Sequence, residues 1–457
     1  MAAFAIAAGG GPAQAQERGG KGGGVPLIRD AEIEQLLRDY TTPILRAAGL
    51  GPQNIQVVII NERAFNAFVM DGRRIFVNSG ALFESTTPNQ IIGVLAHEAG
   101  HIAGGHLAKM RLELANAQTQ AILATVLGVG ALVAGAKSGA GSSTGANMGQ
   151  IGMAALSAPQ AVIQRSLLSY QRAQEEQADK AGVKFLTATG QSTKGMYETF
   201  KRFADQTMFS SSFIDPYVQS HPMPSERVHA LEELAKTSPY WDKKDPPELQ
   251  ARHDLMRAKL AGFMDRGETI ARRYPLSDTS LAARYARAIA AYRFADVRNA
   301  VAQIDALIQV QPNNPYFHEL KGQALMESGR GAEAVAPLRK AVALAPNAQL
   351  IRALLAQALI STNDSRHADE AIGILRDVLI HEKELSSGYR ELAMAYGQKG
   401  DLAQADLASA QASFAAGDYK TARELAARAK TRLPTGSPGW VRADDIATYR
   451  PKSGGGN

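Results

Sequence analysis

Two hydrophobic rhythms divide the chain. In its first half the apolar positions alternate between the short periods of strands and the longer period of helices, whereas the second half keeps one helical rhythm that returns every 34 residues. Ile33 to Ala48 carries apolar residues at helical spacing, and Ile55 to Ile60 (IQVVII) is a β-branched run suited to a buried strand. Phe65 to Val77 (FNAFVMDGRRIFV) reads as two extended segments turning at Asp71-Gly72, a pair suited to a tight hairpin. From about Pro88 through Lys109 a helix is predicted, because Ile91, Ile92, Leu95, Ala99 and Ile102 fall on one helical face.

The repeat in the second half can be counted. Ala286, Leu320 and Leu354 correspond at steps of 34, as do Ala288, Gly322 and Ala356; Ala291, Leu325 and Leu359; and Ala300, Ala334 and Ala368. Ile304, Leu338 and Ile372, then Leu307, Ala341 and Leu375, and finally Pro312 and Pro346 keep the same phase. Small residues where paired helices touch, with Pro after the second helix, resemble tetratricopeptide (TPR) repeats, whose stacked hairpins bury a continuous core. A fourth, less regular unit is expected over Leu385 to Pro434, followed by a flexible tail over residues 435–457.

Composition narrows the picture. The 457 residues, 45% hydrophobic and 21% charged, are those of a globular protein of several domains. A net charge of +6 without a run of like charges argues against nucleic acid as a partner. The chain contains no cysteine, which excludes disulfides, thiolate metal sites and a cysteine nucleophile, so any metal is held by His, Asp or Glu. Residues 1–24 read as a signal-like leader, with Ala13-Gln14-Ala15 in the small-x-small pattern of a cleavage site, and a Gly-rich tether; a plain Ala/Gly tail is the alternative. Within residues 114–164 Lys137 is the one charged side chain after Leu114, and Ala121 to Ala136 is a sixteen-residue run short of the roughly 20 needed to span a bilayer. That stretch is expected either to cover a cleft or touch a membrane surface peripherally, or to form a core helix followed by a Gly/Ser loop.

The chemistry lies in His97-Glu98-Ala99-Gly100-His101, an H-E-x-x-H pattern inside the predicted helix. Residues four apart share a helical face, so both imidazoles can reach one zinc ion while Glu98 reaches a water on that ion. A hydrolytic zinc site asks for a third protein ligand. Glu175 answers best, because Asp179 stands one helical turn further and can accept the free N–H of a ligating imidazole.

HEAGH at 97–101, E-x-x-A-D at 175–179 and Ser220-His221-Pro222-Met223-Pro224-Ser225-Glu226-Arg227 together resemble the M48 zinc metallopeptidases, and in particular their periplasmic branch with a C-terminal TPR domain. The resemblance runs from about Val25 to Pro434. It implies one zinc ion per chain held by His97, His101 and Glu175, with Glu98 as general base and Asp179 supporting a ligand. It also implies a substrate-pairing edge strand at Asn66, Ala67 and Phe68, and assigns Arg227 to the substrate side or to the loop after the catalytic domain. His221 either occupies the metal's fourth position as an autoinhibitory switch, or stabilises that loop or the oxyanion. The implied protein is a periplasmic endopeptidase of unfolded or misassembled exported proteins, with TPR repeats docking substrates or the outer-membrane assembly machinery. A scaffold with a structural zinc site, and a membrane-anchored protease, are the rival readings.

The expected fold is mainly α: a gluzincin-type α+β zinc metallopeptidase domain with a small sheet at residues 25–235, a helical connector at 236–277 and an all-α TPR solenoid at 278–434.

Overall fold

The computed structural model describes residues 26–115, 170–209, 216–294 and 296–450. The leader and most of the uncharged stretch, residues 116–164, lie outside them. The chain divides into two compact units: Leu37–His253, and a second made of the residues up to Leu36 together with those from Asp254 onward.

After the two-residue strand β1 (Leu27–Ile28), which belongs to the second unit, strands β2 (Gln56–Ile60), β3 (Ala67–Asp71) and β4 (Arg74–Asn78) of the first unit follow the β-branched runs. β2 pairs parallel to β4 with Val57 opposite Ile75, and β3 pairs antiparallel to β4 with Phe68 opposite Phe76. The strand order β2-β4-β3 leaves β3 at an edge. The helices of this unit are α1 (Ala31–Ala47, which crosses the division), α2 (Ser79–Glu84), α3 (Pro88–Ala103), α4 (106–115), α5 (170–188), α6 (Lys194–Phe209), α7 (Pro216–Ser220) and α8 (Ser225–Lys236).

Helix α3 is the centre of the unit. Ile91, Ile92, Leu95 and Ala99 are buried as the periodicity requires, but Val94, Ala96, His97 and Glu98 are buried too, so the helix is covered on nearly every side. Pro88 occupies its first turn, where a missing N–H costs nothing, and the Asp245 carboxylate accepts from the Asn89 N–H. The Asn89 side chain in turn bridges to Ser192 O and Gly195 N, tying the start of α3 to the start of α6. One expectation is corrected here: the helix does not run to Lys109 but stops at Ala103, because Gly104 and Gly105 turn the chain and Gly105 takes φ +62°.

The second unit consists of β1, the first turns of α1 and a succession of helices. These are α9 (Pro247–Met264, also crossing the division), α10 (Gly267–Arg273), α11 (Leu281–Phe294), α12 (Val297–Val310), α13 (Pro315–Glu327), α14 (Gly331–Leu344), α15 (Gln349–Ser361), α16 (Ser365–His381), α17 (Ser386–Gln398), α18 (Leu402–Ala415), α19 (Tyr419–Arg432) and α20 (Pro438–Thr448). The 34-residue columns are its core: Ala286, Leu320, Leu354, Ala300, Ala334, Ala368, Leu307, Ala341 and Leu375 are all buried. The division falls inside α1 rather than before it, because Asp30 and Glu32 pair with the buried Lys259 of α9 (2.7 and 3.2 Å) and Glu32 accepts from Tyr285 of α11 (3.0 Å).

The expected flexible tail is also corrected. Residues 438–448 form α20, started by Ser437, whose hydroxyl accepts from Trp440 N, with Pro438 at the first position. Ala443 and Ile446 bury themselves against Leu407, Ala429 and Leu433 and against Ala410, Ala422 and Ala426. Among the described residues no helix is long and apolar enough to cross a membrane.

Candidate metal centre

Three segments distant in sequence meet around α3. The two histidines of HEAGH project from adjacent turns, with their Nε2 atoms 3.0 Å apart. Helix α5 crosses at Gly100, where a β-carbon would stand 2.8 Å from Ala178 O, so only glycine permits this approach. The close crossing brings the Glu175 carboxylate to 3.4 Å from both His97 Nε2 and His101 Nε2. The third segment is the end of α7, from which His221 Nδ1 reaches Glu175 Oε2 at 3.0 Å and His97 Nε2 at 3.3 Å.

His97, His101, Glu175 and His221 therefore offer four ligand atoms within 4.8 Å of one another, a group that could hold a metal ion. Four donors at about 2.0–2.2 Å from one ion stand roughly 3.3–3.5 Å apart at the corners of a tetrahedron. Five of the six separations here, 3.0 to 3.4 Å, are those of such a cradle within a few tenths of an ångström, and the sixth, between His101 and His221, lies within 4.8 Å. The residues fit the group.

The electrostatics agree. Burial disfavours charge on His97, yet Asp179 and Glu175 outweigh it and lift its pKa to about 9. Burial and the neighbouring His97 hold His101 well below the usual histidine range, leaving it neutral with a lone pair to give. Glu175 is held well below the ordinary carboxylate range, because His221 and His97 more than offset its burial. The pocket thus seeks positive charge, and a cation can take the place of the proton that the paired carboxylates otherwise draw onto His97.

Behind the cradle, His97 Nδ1 stands 2.9 Å from Asp179 Oδ1. Asp179 is gripped by the fork of Arg227, whose Nε and Nη2 donate to its two oxygens at 2.7 and 2.8 Å. Arg227 also donates to Pro222 O and stands 2.9 Å from Glu175 Oε2. The guanidinium is buried between these carboxylates and the Pro222 carbonyl, joining α8 to α5 and to the loop after α7.

Glu98 lies on the same helix with both carboxylate oxygens buried and without a hydrogen-bond partner; His221 Nε2 stands 3.4 Å from Oε1. Burial raises its pKa, the direction that suits a carboxylate which takes up and returns a proton. Asn66 immediately precedes β3, which opens with Ala67 and Phe68. Ala67 is buried, Phe68 stacks on Phe76 with centroids 5.4 Å apart, and Ser220 beside His221 donates to Asn66 Oδ1 at 3.5 Å. Sequence reasoning missed two neighbours of the cradle. Tyr217 lies against His221 (centroids 4.7 Å apart), and His106 reaches His101 Nδ1 at 3.0 Å.

An H-E-x-x-H helix carrying a buried glutamate without a hydrogen-bond partner, joined by a glutamate from α5, defines a metallopeptidase of the gluzincin type. Residues 28–235 match the model of Peptidase family M48. The chain is 24% identical over 431 residues to the beta-barrel assembly-enhancing protease of Escherichia coli K12, covering 92% of this chain and 84% of that protein. It is 24% identical over 426 residues to the protein of the same name from Yersinia pestis, covering 92% and 83%. Metalloprotease YcaL of Escherichia coli is 28% identical over 187 residues, 39% of this chain and 61% of the relative.

Proposed function

We propose that the protein is a zinc-dependent endopeptidase that hydrolyses extended segments of unfolded or misassembled exported proteins, in the quality control of outer-membrane protein assembly. The observation that carries this reading is the convergence of His97 Nε2, His101 Nε2 and Glu175 beside the Glu98 carboxylate, which is without a hydrogen-bond partner. His97, His101 and Glu175 hold the ion, and Asp179 with Arg227 behind it keeps the His97 ring oriented. When bound, zinc supplies Lewis acidity towards a carbonyl and lowers the pKa of a coordinated water towards ~7. Glu98 takes the proton of the attacking water and delivers it to the leaving amine, a cycle for which a raised carboxyl pKa is suited. β3, which opens with Ala67 and Phe68 just after Asn66, is an edge strand among the described residues and offers backbone groups with which an extended substrate segment can pair.

The similarity over most of the chain to proteins named beta-barrel assembly-enhancing proteases supports a periplasmic site of action, with the residues before Val25 serving export. The 34-residue helix pairs of the second unit serve as TPR repeats that dock substrates or assembly partners. His221 completes the cradle as a fourth ligand and must withdraw for substrate to enter, which makes it the switch. One observation favours a second reading: a site with all four positions taken by protein side chains is also the form of a structural zinc site. In that case the protein is a scaffold or chaperone with a silent centre.

Cleavage of an unfolded, fluorescently labelled model protein by the zinc-loaded chain, beside Glu98→Gln and His221→Ala, separates the two. The peptidase reading expects cleavage by the parent or by His221→Ala and none by Glu98→Gln, with faster cleavage by His221→Ala if that side chain is the switch. Three inert proteins with zinc bound would favour the scaffold.

A further inference from the structure

His106 takes no part in the cradle, yet it is buried and every polar atom of its ring is engaged. Its Nδ1 stands 3.0 Å from His101 Nδ1, its Nε2 stands 3.3 Å from Gln177 Oε1, and its backbone carbonyl accepts from Gln174 Nε2 at 3.1 Å. The proton positions along this line follow from its two ends. Gln177 Oε1 is an amide oxygen and can only accept, so His106 carries its hydrogen on Nε2 and presents a lone pair at Nδ1. That lone pair accepts from His101 only if His101 carries its hydrogen on Nδ1, which leaves the lone pair of His101 Nε2 facing the cradle. Each link has one donor and one acceptor.

We propose that His106 is a positioning residue for the metal centre: through the relay Gln177–His106–His101 it selects the His101 tautomer and aims its Nε2 at the ion. The inference rests on the zinc reading given above. His97 has a carboxylate, Asp179, in the corresponding place; His101 has a neutral imidazole instead, held by α5 on the helix that also carries Glu175.

The backbone explains how the ring gets there. Gly104 and Gly105 end α3, and the left-handed Gly105 swings α4 so that His106 folds back over the last turn of α3. The ring lies directly on Gly104: a β-carbon there would stand 2.3 Å from His106 Nε2. Any side chain at 104 must therefore push the ring off its line to His101 without touching a ligand.

The test is zinc affinity of the full chain, read by competition with a fluorescent chelator, for the parent, His106→Leu, His106→Gln and Gly104→Ala. The absorption spectrum of the cobalt-substituted proteins and their metal-free melting temperatures accompany it. Loss of a group that orients a ligand typically weakens metal binding 10–100-fold. His106→Leu and Gly104→Ala are expected to fall in that range and to change the cobalt spectrum. His106→Gln, which retains an acceptor oxygen, is expected to recover most of the affinity. A merely structural role would lower the melting temperature and leave the cobalt spectrum as it was, and that result overturns the proposal. If the parent binds zinc while folded His106→Leu and Gly104→Ala bind it within threefold, the proposal fails and the metallopeptidase reading stands. If the parent takes up no zinc at all, both fail. Should His106→Leu not fold, Gly104→Ala and His106→Gln decide the matter.

Discussion

Replacing Arg227 by Met tests whether the second row of the metal centre is held by charge. The guanidinium is 6% exposed and serves two carboxylates that are as deeply buried, Asp179 through a two-point fork and Glu175 through Nη1. The guanidinium lies over the Phe200 ring at 5.5 Å; Met keeps an unbranched apolar stem there and deletes the charge together with its hydrogen bonds to Asp179 and Pro222 O. Breaking a buried ion pair from one side costs about 3–5 kcal/mol, because the partner charge is stranded in low dielectric. For a unit of roughly 200 residues each kcal/mol moves the melting temperature by about 2–4 °C, so metal-free Arg227→Met is expected to melt about 6–20 °C below the parent.

Zinc changes that expectation in a definite direction. With an ion bound, Glu175 is neutralised by the metal, and of the two stranded charges only Asp179 remains. Binding also stabilises the folded state, by about 4 kcal/mol at a thousandfold excess over the dissociation constant. The deficit of Arg227→Met is therefore expected to be larger in chelator than in zinc. Thermal melting of the full chain followed by near-ultraviolet circular dichroism, in both conditions, is the assay. A metal-free shift below about 2 °C, or a deficit that zinc leaves unchanged, would refute the reasoning. Arg227→Lys belongs in the same series: it keeps the charge and loses the fork, and an intermediate deficit is expected.

Glu98→Gln is expected to lower peptide hydrolysis by a factor of at least about 10² while leaving zinc uptake within severalfold, as measured by turnover and metal analysis of the same sample. Removing the metal with a chelator should abolish hydrolysis and lower the melting temperature, both restored by zinc. In the second unit, Asp30 and Glu319 face Lys259 and lie near Glu32, Tyr285 and Tyr316; burial raises their pKa to about 6 and about 8. Carboxyls raised in the folded state stabilise it below their unfolded value near 4 and lose that contribution as pH climbs through 6 and then 8. Glu319→Gln should therefore raise the melting temperature of this unit at pH 8 and leave it nearly unchanged at pH 5; a gain equal at both would contradict the assignment. Ile446→Ala, at the buried face of α20, should cost about 2 kcal/mol and expose residues 435–450 to limited proteolysis.

What could be read from the sequence depended on whether a feature's partners are near in the chain. The 34-residue columns announced the buried seams of the second unit because each helix pair repeats the same contact, and Ala300, Ala334 and Ala368 are all fully buried. HEAGH announced two imidazoles on one face because four residues make one turn. Glu175 was legible only through chemistry: a metal held by two histidines needs a third donor, and E-x-x-A-D offers one with its support a turn away. The place of Arg227 could not be read, since its forked pairing with Asp179 spans 48 residues and depends on how α8 packs. The tail was misread because Gly436 and Pro438 suggested fraying, whereas Ser437-Pro438 is a helix start.

His106 is the most instructive of these cases. Under the prediction of one helix running through Lys109, residues 101 and 106 are five apart and stand about 140° apart around the axis, so their side chains diverge and no relation between them is suggested. The relation exists only because the helix breaks. Gly104 and Gly105 are the residues that stop α3, allow a left-handed φ, and leave room for the returning ring. A glycine pair immediately after a ligand-bearing turn is thus more than a place where the helix ends: it is what lets a third histidine lie behind the second and set which nitrogen that ligand turns towards the metal.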